Sequence, residues 1–340
     1  MKKYNVAVIG VGAVGAEILR ILKQRNFPIE NLRVFARSAR EIKVDGTSYN
    51  VEAIEGSDFT GIDIALFAGT EGSKGASVLY ADKFIEKGAV VVDNGNDFRL
   101  KDDVPLVVPE VNKDKVSTHK GIIANPNCTT IQAVTALGGI FKSFGLSQFI
   151  VTSFQATSGA GKAAATSLWN ETKGLVEDNQ DNDFDNLNKK INHKPESFDR
   201  QIAFNVIPQI GGFDDNGYTS EEMKVVHESH KIFGDNDIKI SATCARVPVF
   251  TSHSESIYFT TKKKTTVAEL EEVLKNSPGV VYQTENLSLP VDAEGKDEVF
   301  VSRLREDTAC ENSFWLWCVS DNLRKGAALN AIQIAEELIK

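Results

Sequence analysis

Residues 4–10, YNVAVIG, run apolar and β-branched into a glycine; two more glycines follow at 12 and 15, just before AEILRIL. A buried strand, a sharp turn and the start of an amphipathic helix are packed into twenty residues. In such a G-x-G-x-x-G turn each glycine has a physical task. Gly10 permits the tight turn, Gly12 lets backbone approach a pyrophosphate, and Gly15 lets the helix pack on the strand. The helix N-terminus offers free amides and a partial positive charge to the anion, which adds Ala13 and Val14 to the candidate cofactor contacts. A purely structural glycine turn is the competing reading.

The pattern then repeats. NLRVFA, IDIALFAG and AVVVDNG read as strands, SKGASVLYADKFIEKG reads as a helix, and VPLVVPEVN and GIIANPN read as two further short strands. Strands alternating with helices predict an α/β, Rossmann-type doubly wound parallel sheet. The second strand ends in VFARSAR, with Arg37, Ser38 and Arg40 and no acid. Guanidinium and hydroxyl groups suit a 2′-phosphate, so the expected cofactor is NADP; surface arginines are the alternative.

A chain of 340 residues exceeds what one core usually organises, so two domains are expected. The pattern changes after residue 128. CTTIQAVTALGGIFKSFG is a helix, and SQFIVTSFQATSG, IKISATCARVPVF and HSESIYFTTK are longer strands suited to a mixed sheet in an α+β second domain. TTVAELEEVLKNSPG is a helix with a threonine cap, and NLRKGAALNAIQIAEELIK is a final helix expected to return to the first domain. The expected division is 1–127 plus 326–340 for the dinucleotide and 128–325 for the remainder. The Asn/Asp-rich stretch around 176–198 reads as an exposed, partly helical or mobile excursion.

Charge and cysteine usage exclude several classes. With 47 acidic against 38 basic residues and a net charge of -9, broad nucleic-acid binding is not expected. No apolar run approaches the ~20 residues of a membrane span, and the glycine-broken N-terminus is not read as a signal peptide. Four cysteines without a C-x-x-C pair argue against a disulfide framework or a zinc site and suit a reducing cytoplasm.

Cys128 follows Asn-Pro-Asn at the start of a helix. Free amides there would lower its pKa and favour a nucleophilic thiolate able to carry an acyl group as a thioester. Beside a nicotinamide site, this suggests aldehyde–acyl chemistry; a buried inert thiol is the equal alternative. Cys244, Cys310 and Cys318 lie in apolar strand-like runs and read as structural. Among five histidines, His119 and His193 lie in polar loops. His227 and His230 share a charged helix without a third metal ligand. His253, at a strand end between Ser252 and Ser254, is the candidate to exchange a proton near pH 7. Arg246 interrupts a strand and suits either a substrate carboxylate or a structural acid.

NPNCTTIQ, QATSGAGKAA, IAFNVIPQIG, EEMK, ARVPVFTSHSES and NLRKGAALNAIQIAE occur in this order, and over most of its length the chain resembles the bacterial aspartate-semialdehyde dehydrogenases. The resemblance implies that Cys128 is the nucleophile, His253 the acid/base, and Gln155 an orienting group for the acyl intermediate. It implies that Arg246 and Glu221 bind the substrate's carboxylate and amino group. Lys224 and Arg99 would bind phosphate, Asn127 would flank the nucleophile, and Gly159 and Asn322 would join the cofactor site. It also implies reversible, phosphate-dependent oxidation of L-aspartate 4-semialdehyde to L-4-aspartyl phosphate with NADP. That reaction lies on the route to diaminopimelate, lysine, threonine and methionine. The second domain would carry catalysis and assembly into a homodimer or homotetramer. No metal is implied.

The chain departs from the family pattern in a glycine loop one residue shorter, in Gly95-Asn96-Asp97 where serines are usual, in a shortened FARSAR loop, and in a longer polar stretch near 176–198. A related acyl-phosphate reductase of the N-acetylglutamyl phosphate type is the nearest alternative. An acetylated substrate would not need the acid that EEMK supplies. A non-catalytic cofactor-sensing relative is the alternative of another class.

Overall fold

A computed structural model describes residues 2–69, 75–178 and 195–340. Among the described residues the first sheet has seven strands in the order β3-β4-β2-β1-β5-β6-β7. These are β1 (Tyr4–Ile9), β2 (Ile29–Ala36), β3 (Arg40–Val44), β4 (Thr47–Ala53), β5 (Ile64–Phe67), β6 (Val90–Asp93) and β7 (Ile122–Ala124). Every pair is parallel except β3 with β4. Both faces are covered, which is why β1 reads as a continuous apolar run. Val6 and Val8 face one core, with Ile18, Leu22 and Ile332. Ala7 and Ile9 face another.

Around this sheet lie α1 (Ala13–Gln24), α2 (Ala76–Glu86) and the single turn α3 (Pro109–Asn112). VPLVVPEVN is not the strand expected from its composition. Only Leu106 bridges to Ala124, and Pro109, which lacks an amide hydrogen, starts α3 instead. The hairpin β3–β4 was not anticipated. Its turn places Asp45 at φ 47° and Gly46 at φ 77°, the left-handed pair that an Asp-Gly hairpin turn requires.

The second sheet, β11-β12-β13-β10-β8-β9, is formed by β8 (Leu146–Gln155), β9 (Lys239–Arg246), β10 (His253–Thr261), β11 (Val280–Gln283), β12 (Val299–Glu306) and β13 (Ser313–Ser320). It is mixed, as expected. β8 with β9 and β11 with β12 are parallel; the other pairs are antiparallel.

Helices α4 (Cys128–Phe144), α5 (Lys162–Asp178), α6 (Ser220–Phe233), α7 (Val267–Lys275), α8 (Pro290–Ala293) and α9 (Leu329–Leu338) complete the order. α4 is buried along most of its length, as a helix wedged between two layers must be. Its Ile131, Val134 and Leu137 join one apolar cluster with residues of both sheets. Its first residue, Cys128, therefore sits where the two layers meet. α9 packs with α1 on the first sheet. Among the described residues no helix is long and apolar enough to cross a membrane. Most of the polar stretch near 176–198, including His193, lies outside the described residues.

Candidate active site

The glycine turn has the geometry its spacing requires. Gly10 adopts φ 99°, where a side chain would be strained. A Cβ on Gly15 would lie 2.0 Å from the Gly10 carbonyl oxygen, whereas one on Gly12 would meet only open space. Gly12 caps α1 without a side-chain hydrogen bond, leaving the first amides of the helix free for an anion. The turn opens onto a cavity of about 970 Å³. Residues 10–15, Arg37 and Ser38 line one end, and Asn127, Cys128, Gly159 and Asn322 line the other. All nine residues expected to contact cofactor thus reach one cavity. Arg40 is also there, with Nη1 donating to the Ser38 carbonyl at 3.2 Å. So is Glu55, an acid that follows the unanticipated β4.

At the far end, Cys128 Sγ lies 3.4 Å from His253 Nε2. The Ala156 amide donates to His253 Nδ1 at 3.1 Å. Nδ1 therefore carries no proton, and the neutral ring holds its proton on Nε2, facing the sulfur. Burial and then Arg246 push the imidazole well below its ordinary pKa. Both effects favour a neutral ring with its N–H toward the sulfur. Arg246 ends β9 opposite Gln155, and its Nη1 donates to the Ala156 carbonyl at 2.7 Å. The two peptide groups that flank the Ala156 Cα thus orient the imidazole and the guanidinium. A Cβ on Gly159 would lie 3.1 Å from His253 Cε1 and 3.0 Å from Arg246 Nη1, so this backbone closes over both.

The thiol is shifted toward its protonated form. Burial pushes the Cys128 thiol up to about 12, Glu221 adds to the rise, and Arg246 and Arg99 oppose it. The Thr129 amide also lowers it, but the helix-start amides are shared with a side chain. Asn127 caps α4, its Oδ1 accepting from Thr129 N at 3.0 Å and Thr130 N at 3.4 Å.

A polar web surrounds the thiol. Asn127 Nδ2 donates to Glu221 Oε1 at 3.0 Å. Gln155 Nε2 donates to Thr129 Oγ1 at 2.7 Å and to Glu221 Oε1 at 3.3 Å. Lys224 lies 3.5 Å from Glu221 Oε2. Sequence reasoning missed Glu228, which shares a face of α6 with Glu221 and Lys224 at i, i+3, i+7 spacing. Glu228 is buried; it accepts from the Asn127 amide at 2.7 Å and from Arg99 Nη1 at 3.0 Å. Arg99 also donates to the carbonyls of Asn125 and Asn94, both at 2.9 Å, while still lining the cavity. Asn322 Oδ1 accepts from Ser158 Oγ at 3.1 Å and from the Ser252 amide at 2.9 Å. Ser252, just before His253, adopts φ 74°, an uncommon conformation outside glycine.

The other cysteines separate. Cys244 and Cys318 are buried as expected, but Cys310 is exposed; it lies in the connection between β12 and β13, where Asp307 accepts its amide at 2.9 Å. Among the described residues no cluster of metal-ligating side chains occurs. His119 turns back on the Gly121 amide, and His230 on the Ile238 carbonyl.

Residues 5–119 match a family model described as the NAD binding domain of semialdehyde dehydrogenases, and residues 137–325 match the corresponding dimerisation domain. The chain is 46% identical over 349 residues to the aspartate-semialdehyde dehydrogenase of Aquifex aeolicus, covering 99% of this chain and 98% of that protein. The chain belongs to the aspartate-semialdehyde dehydrogenase family. The Bacillus subtilis member is 43% identical over 350 residues, covering 99% of this chain and 97% of its own length. The structure of aspartate semialdehyde dehydrogenase II from Vibrio cholerae, complexed with ASA, superposes with a TM-score of 0.92 at 39% identity. It covers 100% of this chain and 99% of that one. The two-domain α/β architecture expected from sequence is thus the architecture of this family.

Proposed function

We propose that this enzyme interconverts L-aspartate 4-semialdehyde and L-4-aspartyl phosphate with NADP and inorganic phosphate, in lysine, threonine and methionine biosynthesis. The observation that carries the reading is the 3.4 Å approach of Cys128 Sγ to His253 Nε2, at the end of a cavity that begins at the glycine turn. The free helix-start amides and the open space over Gly12 fit a dinucleotide pyrophosphate. Arg37 and Ser38 at the same end favour a 2′-phosphate.

In the biosynthetic direction the Cys128 sulfur attacks the acyl carbon, the carbon–oxygen bond to phosphate breaks, and the departing phosphate takes the thiol proton. A protonated thiol suits this coupling, because ionisation then accompanies attack on the substrate. The nicotinamide, when bound, supplies the hydride that reduces the thioester carbon. The resulting thiohemiacetal alkoxide expels sulfur as a thiolate and leaves the aldehyde, and the thiolate takes a proton from solvent to restore the thiol. Throughout, the His253 Nε2–H donates to developing negative charge on oxygen or sulfur. Arg246 takes the substrate carboxylate, Glu221 the ammonium, and Lys224 with Arg99 the phosphate, while Gln155 and Asn127 hold Glu221 and the thioester in register.

In this reading residues 1–127 with 326–340 bind the dinucleotide, and 128–325 bind the substrate and a second subunit. The outward face of the second sheet supports a homodimer. Ile150 is 44% exposed there, flanked by Tyr258, which stacks edgewise on Trp315. The test is NADPH formation from L-aspartate 4-semialdehyde, with phosphate, arsenate or neither, and with NAD in place of NADP. Turnover that needs no phosphate, or that prefers an N-acetylated glutamic semialdehyde, overturns the assignment.

A further inference from the structure

We propose that Lys325 is a positioning residue for Cys128, acting through Gly326. Lys325 is fully buried on the turn Arg324–Ala328. Its ammonium is spent on three acceptors: Glu110 Oε2 at 2.7 Å, Gln333 Oε1 at 2.8 Å and Asn330 Oδ1 at 2.9 Å. Gln333 Nε2 in turn donates to Glu110 Oε1 at 2.9 Å. Every donor of the ammonium has a partner, which fixes its position more narrowly than packing would.

The turn is wound as a π-helix, with Gly326 N donating to the Asp321 carbonyl and Ala328 N to the Leu323 carbonyl. Such insertions into helical winding recur at functional sites. Here the extra winding presents Gly326 to the nucleophile. A Cβ on Gly326 would stand 2.9 Å from Cys128 Cβ and 3.4 Å from its Cα, so bare backbone lies directly against the thiol residue. The same network reaches the other side of Cys128. Asn330 Nδ2 donates to Asn125 Oδ1 at 2.7 Å, and Asn125 Nδ2 donates to the Ala327 carbonyl at 3.3 Å. The turn behind the thiol and the Asn-Pro-Asn turn before it are therefore held by one set of hydrogen bonds. A buried ion pair is a costly way to stabilise a fold, since apolar residues of similar volume often serve as well; fixing one arrangement is its better-attested use. A sulfur that must stay within reach of His253 Nε2 is such a case, because a shift of about 1 Å is enough to cost ~100-fold in rate.

The inference rests on Cys128 being the nucleophile, which is tested separately by loss of all turnover when iodoacetamide alkylates the wild-type enzyme at Cys128. The positioning role is tested with Lys325→Met, Lys325→Met with Glu110→Gln, and Gly326→Ala. The readouts are the iodoacetamide alkylation rate of Cys128 in the free enzyme, kcat and KM, and the thermal midpoint. The double variant removes the unpaired buried carboxylate, so it regains thermal stability lost by the single one. We expect both Lys325 variants to alkylate and turn over at least about tenfold more slowly, with KM values within about twofold of wild type. Should the single variant fail to fold, the double variant and Gly326→Ala carry the test. A double variant with wild-type kcat and alkylation rate shows a merely structural pair and overturns the proposal. A Gly326→Ala enzyme indistinguishable from wild type overturns it as well.

Discussion

Cys128 Sγ and His253 Nε2 stand 3.4 Å apart although 125 residues of chain separate them. The sulfur comes from the first residue of a helix between the two sheets, and the imidazole from the first residue of a strand in the second. Their meeting is what the proposed thioester chemistry requires, and it yields a pair of variants. Cys128→Ala should abolish semialdehyde-dependent NADP reduction. His253→Ala should lower kcat by roughly 10²–10⁴, and His253→Asn, which keeps an N–H donor, should recover part of that loss. Equal loss in both histidine variants would refute the donor role.

The protonated thiol has a measurable consequence. With its pKa pushed up to about 12 by burial, the ligand-free enzyme holds little thiolate at neutrality. Alkylation by iodoacetamide should accelerate by about tenfold per pH unit through the alkaline range. A plateau near neutral pH would show a thiolate already formed and remove the coupling between ionisation and attack on the substrate.

Gly159 offers a test of local geometry with little effect on the core. A methyl group there would press on His253 and Arg246. Gly159→Ala should reduce kcat/KM by roughly tenfold or more while leaving the thermal midpoint within a few degrees of wild type. Unchanged kinetics would mean that the loop yields freely.

Asp93, buried at the end of β6, has its pKa raised to about 6 chiefly by burial. The unfolded chain releases that proton near ~3.9. Because the folded state binds the proton more tightly, stability falls as pH rises from about 4 to about 6, by about 3 kcal/mol for this group. Asp93→Asn keeps an acceptor for the Gly95 amide and lacks the titration. Urea midpoints should therefore favour the variant over wild type more at pH 7.5 than at pH 4; a difference independent of pH would contradict the raised pKa.

Arg37, at the adenosine end of the cavity, is exposed, so its contribution is modest. Arg37→Ala should raise KM for NADP by about tenfold and leave KM for NAD within about twofold. An equal effect on both cofactors would mean that Arg37 does not read the 2′-phosphate.

Parts whose physics is local are legible along the chain. The spacing of Gly10, Gly12 and Gly15 dictates a turn that only glycines allow, and apolar runs broken by helical patterns dictate a parallel sheet. Cys128 at a helix start and His253 at a strand start were likewise visible as chemistry awaiting a partner. The state of those groups depends on what folding places beside them. The Ala156 amide, brought beside His253 by the pairing of β8 with β10, makes the imidazole a donor. Burial and Glu221 outweigh Arg246, Arg99 and the Thr129 amide in setting the state of the thiol. The effects of Glu228, Lys325 and Gly326 on Cys128 were not legible, because they pass through contacts between segments roughly 100 to 200 residues apart. The Asp45-Gly46 hairpin was legible and overlooked. The fate of Pro109 was settled by what its missing amide hydrogen cannot join. Short-range stereochemistry can be read along a chain; protonation state and alignment depend on neighbours that only folding supplies.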